Sequence, residues 1–286
     1  MKLQTRVATQ RIVNVILVVL LCCVALAFFF PLIWLLDSTF RPAIEIFNVP
    51  PQIVQRGFES FSSYSLDNLV AAVSKYGALL AFLNSTYVVI SGIALMLLIC
   101  SLAAYAFSFL QFPLKRILFM FVLGTMMVPA TTMIVPFYKI MIFLGLIDSP
   151  LGLIIPYAAS AYGLFLLRQY LIKIPISFVE SAKMDGANDF RIHFSIILPL
   201  ARPAIAALSI IQFRAIWNDF MLPLIILKTK QLYTLPLQIQ VMDSINIAKP
   251  YDAIIATGFI SALVPIIVFL IFQRQFIEGL TGGLKH

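Results

Sequence analysis

The stretch ESAKMDGANDFRIHFSIILPL, residues 180–200, concentrates charge in a chain that has little of it elsewhere. It holds five charged residues and one histidine, whereas Asp, Glu, Lys and Arg together make up only 11% of the 286 residues. Long apolar runs precede and follow it. Whether those runs lie in water or in a membrane therefore decides the fold. The molecule that the charged stretch contacts bears on the function.

Composition assigns the apolar runs to a membrane. The chain is 62% hydrophobic with a mean hydropathy of +1.01, and a water-soluble domain of this length needs far more polar surface. We predict an all-α integral membrane protein with a six-helix transmembrane bundle. Each helix lies in a run that approaches or exceeds the roughly 20 residues needed to span a bilayer, and the runs are 12–36, 76–114, 117–138, 149–167, 203–227 and 253–273.

The first run resembles a secretory signal, because Lys2, Arg6 and Arg11 precede it. It continues to Leu36, however, which is longer than the apolar core of a signal peptide. We therefore expect an uncleaved first span. Prolines also occur in or near the predicted spans, including Pro129 in the third, and such prolines interrupt backbone hydrogen bonds.

Basic residues predict the orientation. Twelve Lys and Arg residues fall on one side of the six predicted helices and seven on the other, with Arg214 inside the fifth. Cytoplasmic loops carry the excess of Lys and Arg, so we predict that both termini and the charged stretch are cytoplasmic. The same asymmetry accounts for the net charge of +8 without nucleic acid as a partner.

Two short helices are predicted in the charged stretch. Ser177 and Glu180 have the S-x-x-E spacing of a capping box, so a helix should begin near Phe178. Gly186 is placed to end that helix in the left-handed conformation, and a second helix should run from Asn188 toward Ile197. Small side chains at Ala182 and Ala187 leave room for another surface to approach. The alternative is an amphipathic connector that rests on the membrane surface.

The same residues resemble the EAA loop of ATP-binding-cassette (ABC) importer permeases, whose pattern is EAA, three residues, G, nine residues, I, one residue, L, P. Here the pattern is met by Glu180-Ser181-Ala182, Gly186, Ile196 and Leu198-Pro199, with Ser181 in place of the first alanine. Further segments resemble the carbohydrate-uptake branch of these permeases, in particular its six-helix maltose and glycerol-phosphate type: FPLIWLLDSTFRP (30–42), LNSTYVV (83–89), AAYAFSFLQFP (103–113), MMVPATTMIVPFY (126–138), LGLIDSPLGLIIPY (144–157), WNDFMLPL (217–224) and QRQFIEGLTGGLKH (273–286).

The resemblance implies a type I ABC importer fold. It divides the chain into an N-terminal part (1–75), a transmembrane domain (76–275) that contains the EAA loop (177–200), and a cytoplasmic tail (276–286). It implies as partners a second permease subunit, two copies of a cytoplasmic ABC ATPase and an extracytoplasmic solute-binding protein. It places at the ATPase-coupling contact Glu180, Ser181, Ala182, Asp185, Gly186 and Ala187, with the tail from Gln273 near the ATPase dimer.

Enzymatic motifs are absent from the sequence. There is no G-x-x-x-x-G-K-[ST] phosphate loop, so we expect ATP and Mg²⁺ to bind in partner ATPase subunits and no cofactor or metal to bind in this chain. H-E-x-x-H and G-x-S-x-G are also missing. We therefore predict a permease that is not itself an enzyme and that imports a carbohydrate or related polyol.

A substrate pathway is predicted around the fifth span. Arg214 should lie near the bilayer midplane, where an ionisable residue is expensive and suggests function. Arg214, Trp217 and Asn218 share a helix face on which an indole and polar donors suit a sugar. One alternative pairs Arg214 with a carboxylate or carbonyls of the partner permease. Another is a stand-alone secondary transporter or channel that uses Arg214 and Asp219 for ion coupling.

Two further expectations concern residues outside these sites. The segment 228–252 resembles the outer loop that reaches toward a docked binding protein, although a passive solvated loop has the same composition. His193 is expected at the surface of the coupling region.

Overall fold

The computed structural model describes the backbone of residues 2–47, 63–245 and 249–281, and the regular structure within those ranges is helical throughout. A π-helical turn (His193–Ile197) and an α-helical turn (Leu198–Leu200) lie between α9 (Asp189–Ile192) and α10 (Arg202–Trp217). The helices are α1 (Lys2–Thr39), α2 (Asp67–Ser74), α3 (Ala78–Phe109), α4 (Lys115–Thr125), α5 (Ile134–Phe143), α6 (Leu151–Ala158), α7 (Ala161–Leu171), α8 (Ser177–Met184), α9 (Asp189–Ile192), α10 (Arg202–Trp217), α11 (Met221–Ile226), α12 (Leu235–Asp243) and α13 (Tyr251–Thr281).

Four segments of the described chain are long and apolar enough to cross a bilayer: Val13–Thr39, Ala78–Phe109, Leu151–Leu171 and Tyr251–Gln273. A fifth qualifies only if Asp189–Leu200 and Arg202–Trp217, bent by 79°, count as one span. The third predicted span is divided between α4 and α5. The all-helical membrane fold is confirmed, and the third and fifth predicted spans are each interrupted, the fifth between α10 and α11.

Both interruptions have local causes. Pro129, with φ −59° and ψ 131°, holds the chain extended between α4 and a 3₁₀ turn at Ala130–Met133. In the fifth predicted span the break lies between α10 and α11, where the Asp219 carboxylate accepts hydrogen bonds from the N–H groups of Met221 (2.9 Å) and Leu222 (3.3 Å). These bonds satisfy the first donors of α11 as a separate helix. A hydropathy profile does not reveal either break, because hydropathy depends on side chains and not on backbone hydrogen bonds.

The chain divides into two compact units, residues 1–77 with 242–260 and residues 78–241 with 261–286. In the first unit, α1 is exposed over most of its length, whereas Asp37 and Arg41 at its end are buried. The Asn68 amide of α2 donates to the carbonyls of Thr39 (3.1 Å) and Arg41 (2.6 Å). These bonds fix α2 to the chain that leaves α1.

In the second unit, α3 is the central helix and packs against α6, α7 and α10. Small residues permit the close approach, as is usual between membrane helices. A Cβ atom at Gly163 of α7 would lie 3.1 Å from Cys100 Sγ and 3.2 Å from Met96 Sδ on α3. The core of this unit therefore depends on residues that leave space between helices.

Gly152 in α6 is the tightest of these positions. A Cβ atom there would overlap the Leu146 carbonyl oxygen and lie 2.9 Å from Ile226 Cγ2. We expect Gly152→Ala to lower the free energy of unfolding by about 1–3 kcal/mol, the usual cost of overpacking, measured as a lower thermal midpoint of the purified importer. Gly124→Ala on α4 is the matched control, because no atom lies within 4 Å of its Cβ position. Equal midpoints for the two variants would contradict the prediction.

Candidate functional site

Helix α8 begins at Ser177, one residue before the position predicted for it. Ile176 is the N-cap residue, and no side chain caps the helix. The predicted capping box of Ser177 and Glu180 is therefore wrong. The reason is local, because Ile176 is already helical (φ −62°, ψ −23°) and the Phe178 N–H bonds to the Pro175 carbonyl at 3.2 Å. Ser177 thus lies inside the first turn, where it cannot act as the cap.

Gly186 ends α8 as predicted. Its φ is +78°, the left-handed conformation that glycine adopts without steric cost. Its N–H bonds to the Lys183 carbonyl at 3.0 Å, and the Ala187 N–H bonds to the Ala182 carbonyl at 3.0 Å. This pair of bonds is a Schellman motif. The turn therefore has a fixed geometry.

The second predicted helix also forms. The Asn188 side chain accepts a hydrogen bond from the Arg191 N–H at 2.8 Å and caps α9, and helical structure continues through the π-helical turn to Ile197. Asp189 accepts a hydrogen bond from the Tyr105 hydroxyl of α3 (2.8 Å) and lies 3.1 Å from Lys183 Nζ. The Tyr105 hydrogen bond, followed by Lys183, holds the pKa of Asp189 below its usual range. A charged Asp189 thus links both short helices to the bundle.

Buried residues seat the EAA loop on the bundle. Val179, Ala182 and Ile192 belong to one apolar cluster with residues of α3 and α7. His193 is 1% exposed, and its Nε2 lies 3.2 Å from Ser101 Oγ on α3. The expectation of a surface His193 is therefore wrong, because the helical segment after Asn188 turns this ring toward α3. The small size of Ala182 serves packing within this chain.

The opposite side of α8 is exposed. Of the predicted coupling residues, Glu180, Ser181, Asp185 and Gly186 are exposed, Ala187 is half-buried and Ala182 is buried. Large apolar side chains are exposed beside them: Phe178 (48%), Met184 (89%) and Phe190 (68%). Sequence reasoning missed these three, although large apolar residues within a charged loop were the available signal. We call Phe178, Glu180, Met184, Asp185 and Phe190 the α8 surface.

The predicted pathway residues lie close together at the end of α10 but differ in exposure. Trp217 is 2% exposed, donates from its indole Nε1 to the Ser261 carbonyl at 3.0 Å, and stacks on Phe213 with ring centroids 5.6 Å apart. The indole is therefore largely covered within this chain, and its stacking role toward a sugar stays a prediction. Arg214 and Asn218 are exposed, and the Asn218 amide donates to the Arg214 carbonyl at 2.8 Å.

Asp219 is engaged within the chain. Besides accepting bonds from the first N–H groups of α11, it accepts one from the Tyr157 hydroxyl at 2.8 Å. Arg214 forms no salt bridge with Asp219. The geometry gives Asp219 a structural role at the break between α10 and α11.

The segment 228–252 is partly helical, since it contains α12. The Asp148 carboxylate accepts hydrogen bonds from the Thr229 N–H (2.8 Å) and hydroxyl, and these bonds hold the pKa of Asp148 below its usual range. The Asn84 amide of α3 donates to the carbonyls of Gln231 (2.8 Å) and Tyr233 (3.0 Å). The first part of the segment is therefore fixed. Its proposed contact with a binding protein stays a prediction.

Three known proteins are similar in sequence to almost the whole of this chain. The arabinooligosaccharides transport system permease protein AraQ of Bacillus subtilis is 35% identical over 264 residues, which is 91% of this chain and 92% of AraQ. The sn-glycerol-3-phosphate permease UgpE of Rhizobium meliloti is 32% identical over 90% of this chain and 92% of UgpE. The lactose permease LacG of Rhizobium radiobacter is 29% identical over 96% of this chain and 98% of LacG.

A solved structure shares the fold. It is a bacterial ABC transporter involved in the import of the acidic polysaccharide alginate, with a TM-score of 0.81 at 23% identity over 94% of this chain and 98% of that one. Residues 96–281, which include the whole EAA loop, match the family model of the binding-protein-dependent transport system inner membrane component. The chain therefore belongs to this family, the permease subunits of ABC importers.

Proposed function

We propose that this permease imports a carbohydrate or a related polyol by ATP-driven alternating access. Similarity over almost the whole chain to permeases named for arabinooligosaccharides, lactose and glycerol phosphate supports this class of cargo. In the proposed assembly, a second permease supplies the other half of the pathway. An extracytoplasmic solute-binding protein delivers the cargo, and two copies of a cytoplasmic ATPase bind ATP and Mg²⁺.

The α8 surface is the observation that supports the proposed contact with the ATPase. Exposed apolar side chains rimmed by polar residues mark interaction sites, and Met184 and Phe190 are the most exposed of them here. Glu180 and Asp185 add two carboxylates, which an anionic membrane surface repels. A soluble protein is thus a better partner for this surface than the membrane surface on which the connector alternative would rest.

The buried side of the EAA loop explains how motion passes to the spans. Val179 and Ile192 pack in the apolar cluster, and Asp189 and His193 are bonded to Tyr105 and Ser101 of α3. Closely packed interfaces move as units and do not deform continuously. A displacement of α8 by the ATPase therefore moves α3 and α7 with it, which is the step that alternating access requires.

The orientation follows the distribution of basic residues. We place both termini and the EAA loop in the cytoplasm, on the side that carries twelve of the Lys and Arg residues. Helix α13 continues to Thr281, so the tail beyond Gln273 extends toward the same compartment. In this arrangement the chain contributes no catalytic group, because a phosphate loop is absent from the sequence.

The function is tested by transport in proteoliposomes. We expect uptake of labelled oligosaccharide or glycerol phosphate only when the second permease, the ATPase, the binding protein and ATP are all present. Uptake by this chain alone, driven by an ion gradient, would overturn the proposal in favour of the secondary-transporter alternative.

A negative charge introduced on the apolar part of the α8 surface should weaken binding of the ATPase. We expect Met184→Glu and Phe190→Glu each to weaken co-purification of the ATPase at least about thirtyfold, as for a central interface residue worth about 2 kcal/mol. Both side chains are exposed, so the permease should fold normally. Ser195→Glu introduces the same charge at another exposed position of the loop and should retain the ATPase. Equal retention by all three variants would contradict the assignment.

A further inference from the structure

A groove of about 490 Å³ runs along the second unit between α3, α10 and α13. On α10 its wall is a single stripe that begins at Ala206 and passes Ser209, Ile210 and Phe213 to Trp217. At 1.5 Å per residue this stripe is about 16 Å long. The groove is open at the surface of the chain, because Ile90 on its α3 wall is 63% exposed.

The polar hydrogens on the walls are already used within the chain. The Thr86 and Ser209 hydroxyls donate at 2.8 Å to carbonyls one turn earlier in their own helices. The Trp217 indole donates to the Ser261 carbonyl at 3.0 Å. A sugar in this groove would lose its bonds to water and gain few in return, which is costly. The walls instead suit an apolar chain.

A positively charged side chain, Arg202, extends the line of groove residues on α10. Arg202 lies four residues before Ala206, one helical turn beyond the groove on the same face of α10. It is exposed and forms no salt bridge with the residues that the structure describes. The groove length of about 16 Å is close to half of the roughly 30 Å hydrocarbon core of a bilayer. The arrangement is a slot one leaflet deep with a positive charge at the end where head groups lie.

We propose that this groove binds one acyl chain of an anionic phospholipid, with the lipid phosphate at Arg202. Basic residues beside grooves between membrane helices are a known basis for recognising acidic head groups. The lipid belongs to the leaflet on the side of the EAA loop, since α10 begins there.

The site is tested with photoactivatable phospholipids in nanodiscs that contain the complete importer. Phosphatidylglycerol and phosphatidylcholine probes carry the same reactive acyl chain, and mass spectrometry maps the labelled residues. We expect labelling to concentrate on 206–217 of α10 and on 264–272 of α13, with phosphatidylglycerol preferred. Arg202→Gln should reduce that preference about fivefold, as expected for one basic residue near the membrane surface. This variant changes only an exposed side chain, so it tests the site without risk to folding.

A blocking variant completes the test. Ala206→Trp fills one end of the groove and should remove most labelling of α10, whereas Ala215→Trp, on an exposed position outside the walls, should not. Labelling spread evenly over α10 and the exposed face of α1, insensitive to Ala206→Trp, would overturn the proposal. So would efficient cross-linking of Ile90→Cys to the second permease, because a protein helix would then occupy the groove.

Discussion

Gly186→Asp is expected to reduce ATP-driven uptake at least about thirtyfold while the permease remains folded, because an uncompensated charge in an interface costs about 2 kcal/mol or more. Folding should survive for two reasons. No atom lies within 4 Å of the Cβ position, and Asp is among the residues that best tolerate the left-handed conformation at φ +78°. The new carboxylate joins Glu180 and Asp185 on the α8 surface. The measurement is uptake together with ATPase activity stimulated by the binding protein.

Two variants separate charge from backbone strain. Gly186→Asn has the same shape and the same tolerance of a positive φ but adds no charge, so it should retain most uptake. Gly77 also has a positive φ (+70°) and an open Cβ position, in the other unit of the chain. Gly77→Asp should therefore preserve coupling. Equal loss of uptake in Gly186→Asn and Gly186→Asp would assign the effect to the turn geometry, and the prediction would fail.

The turns of the EAA loop were predictable because their rules are local. A glycine after a helix and an asparagine before the next one have few other conformations that satisfy their backbone groups, and both Gly186 and Asn188 behave as predicted. The capping box failed for a local reason too. Pro175 and Ile176 already form the first turn, which the S-x-x-E pattern alone does not reveal.

The direction of side chains was less predictable. Helical spacing correctly places Arg214 and Trp217 on neighbouring parts of α10, but it does not say which part meets the bundle. Packing against Phe213 and Phe82 covers the indole and leaves the guanidinium exposed. His193 was misplaced for the same reason. Such outcomes depend on tertiary contacts between residues far apart in sequence, which a single sequence does not display.

Asp37 and Arg41 lie in the segment 30–42 that resembles the permease family, but only the structure reveals their physical role. Arg41 Nε lies 2.7 Å from Asp37 Oδ2, and Arg41 Nη2 lies 2.7 Å from Oδ1, a two-bond pairing in which both side chains are buried. The Tyr64 hydroxyl also donates to Asp37. The hydrogen bond to Asp37 is the main cause that raises the pKa of Arg41. Arg41 therefore keeps its positive charge at any physiological pH.

Arg41→Leu should destabilise the permease by about 3–5 kcal/mol, because it leaves the Asp37 carboxylate buried without its cation. The expected result is a large drop in the amount of permease recovered from the membrane and a thermal midpoint lowered by roughly 10 °C. Both are measured on the purified importer in detergent.

Asp37→Leu combined with Arg41→Leu provides the decisive comparison. Replacing a whole buried pair by apolar residues is often neutral or stabilising, whereas removing one partner is not. We therefore expect the double variant to regain most of the stability lost by Arg41→Leu, although Tyr64 then loses one acceptor. The Asn68 bonds go to backbone carbonyls and do not depend on either side chain, so α2 keeps its attachment. If the double variant were as unstable as Arg41→Leu, the loss would come from packing of the arginine stem, and the buried charge would not be its cause.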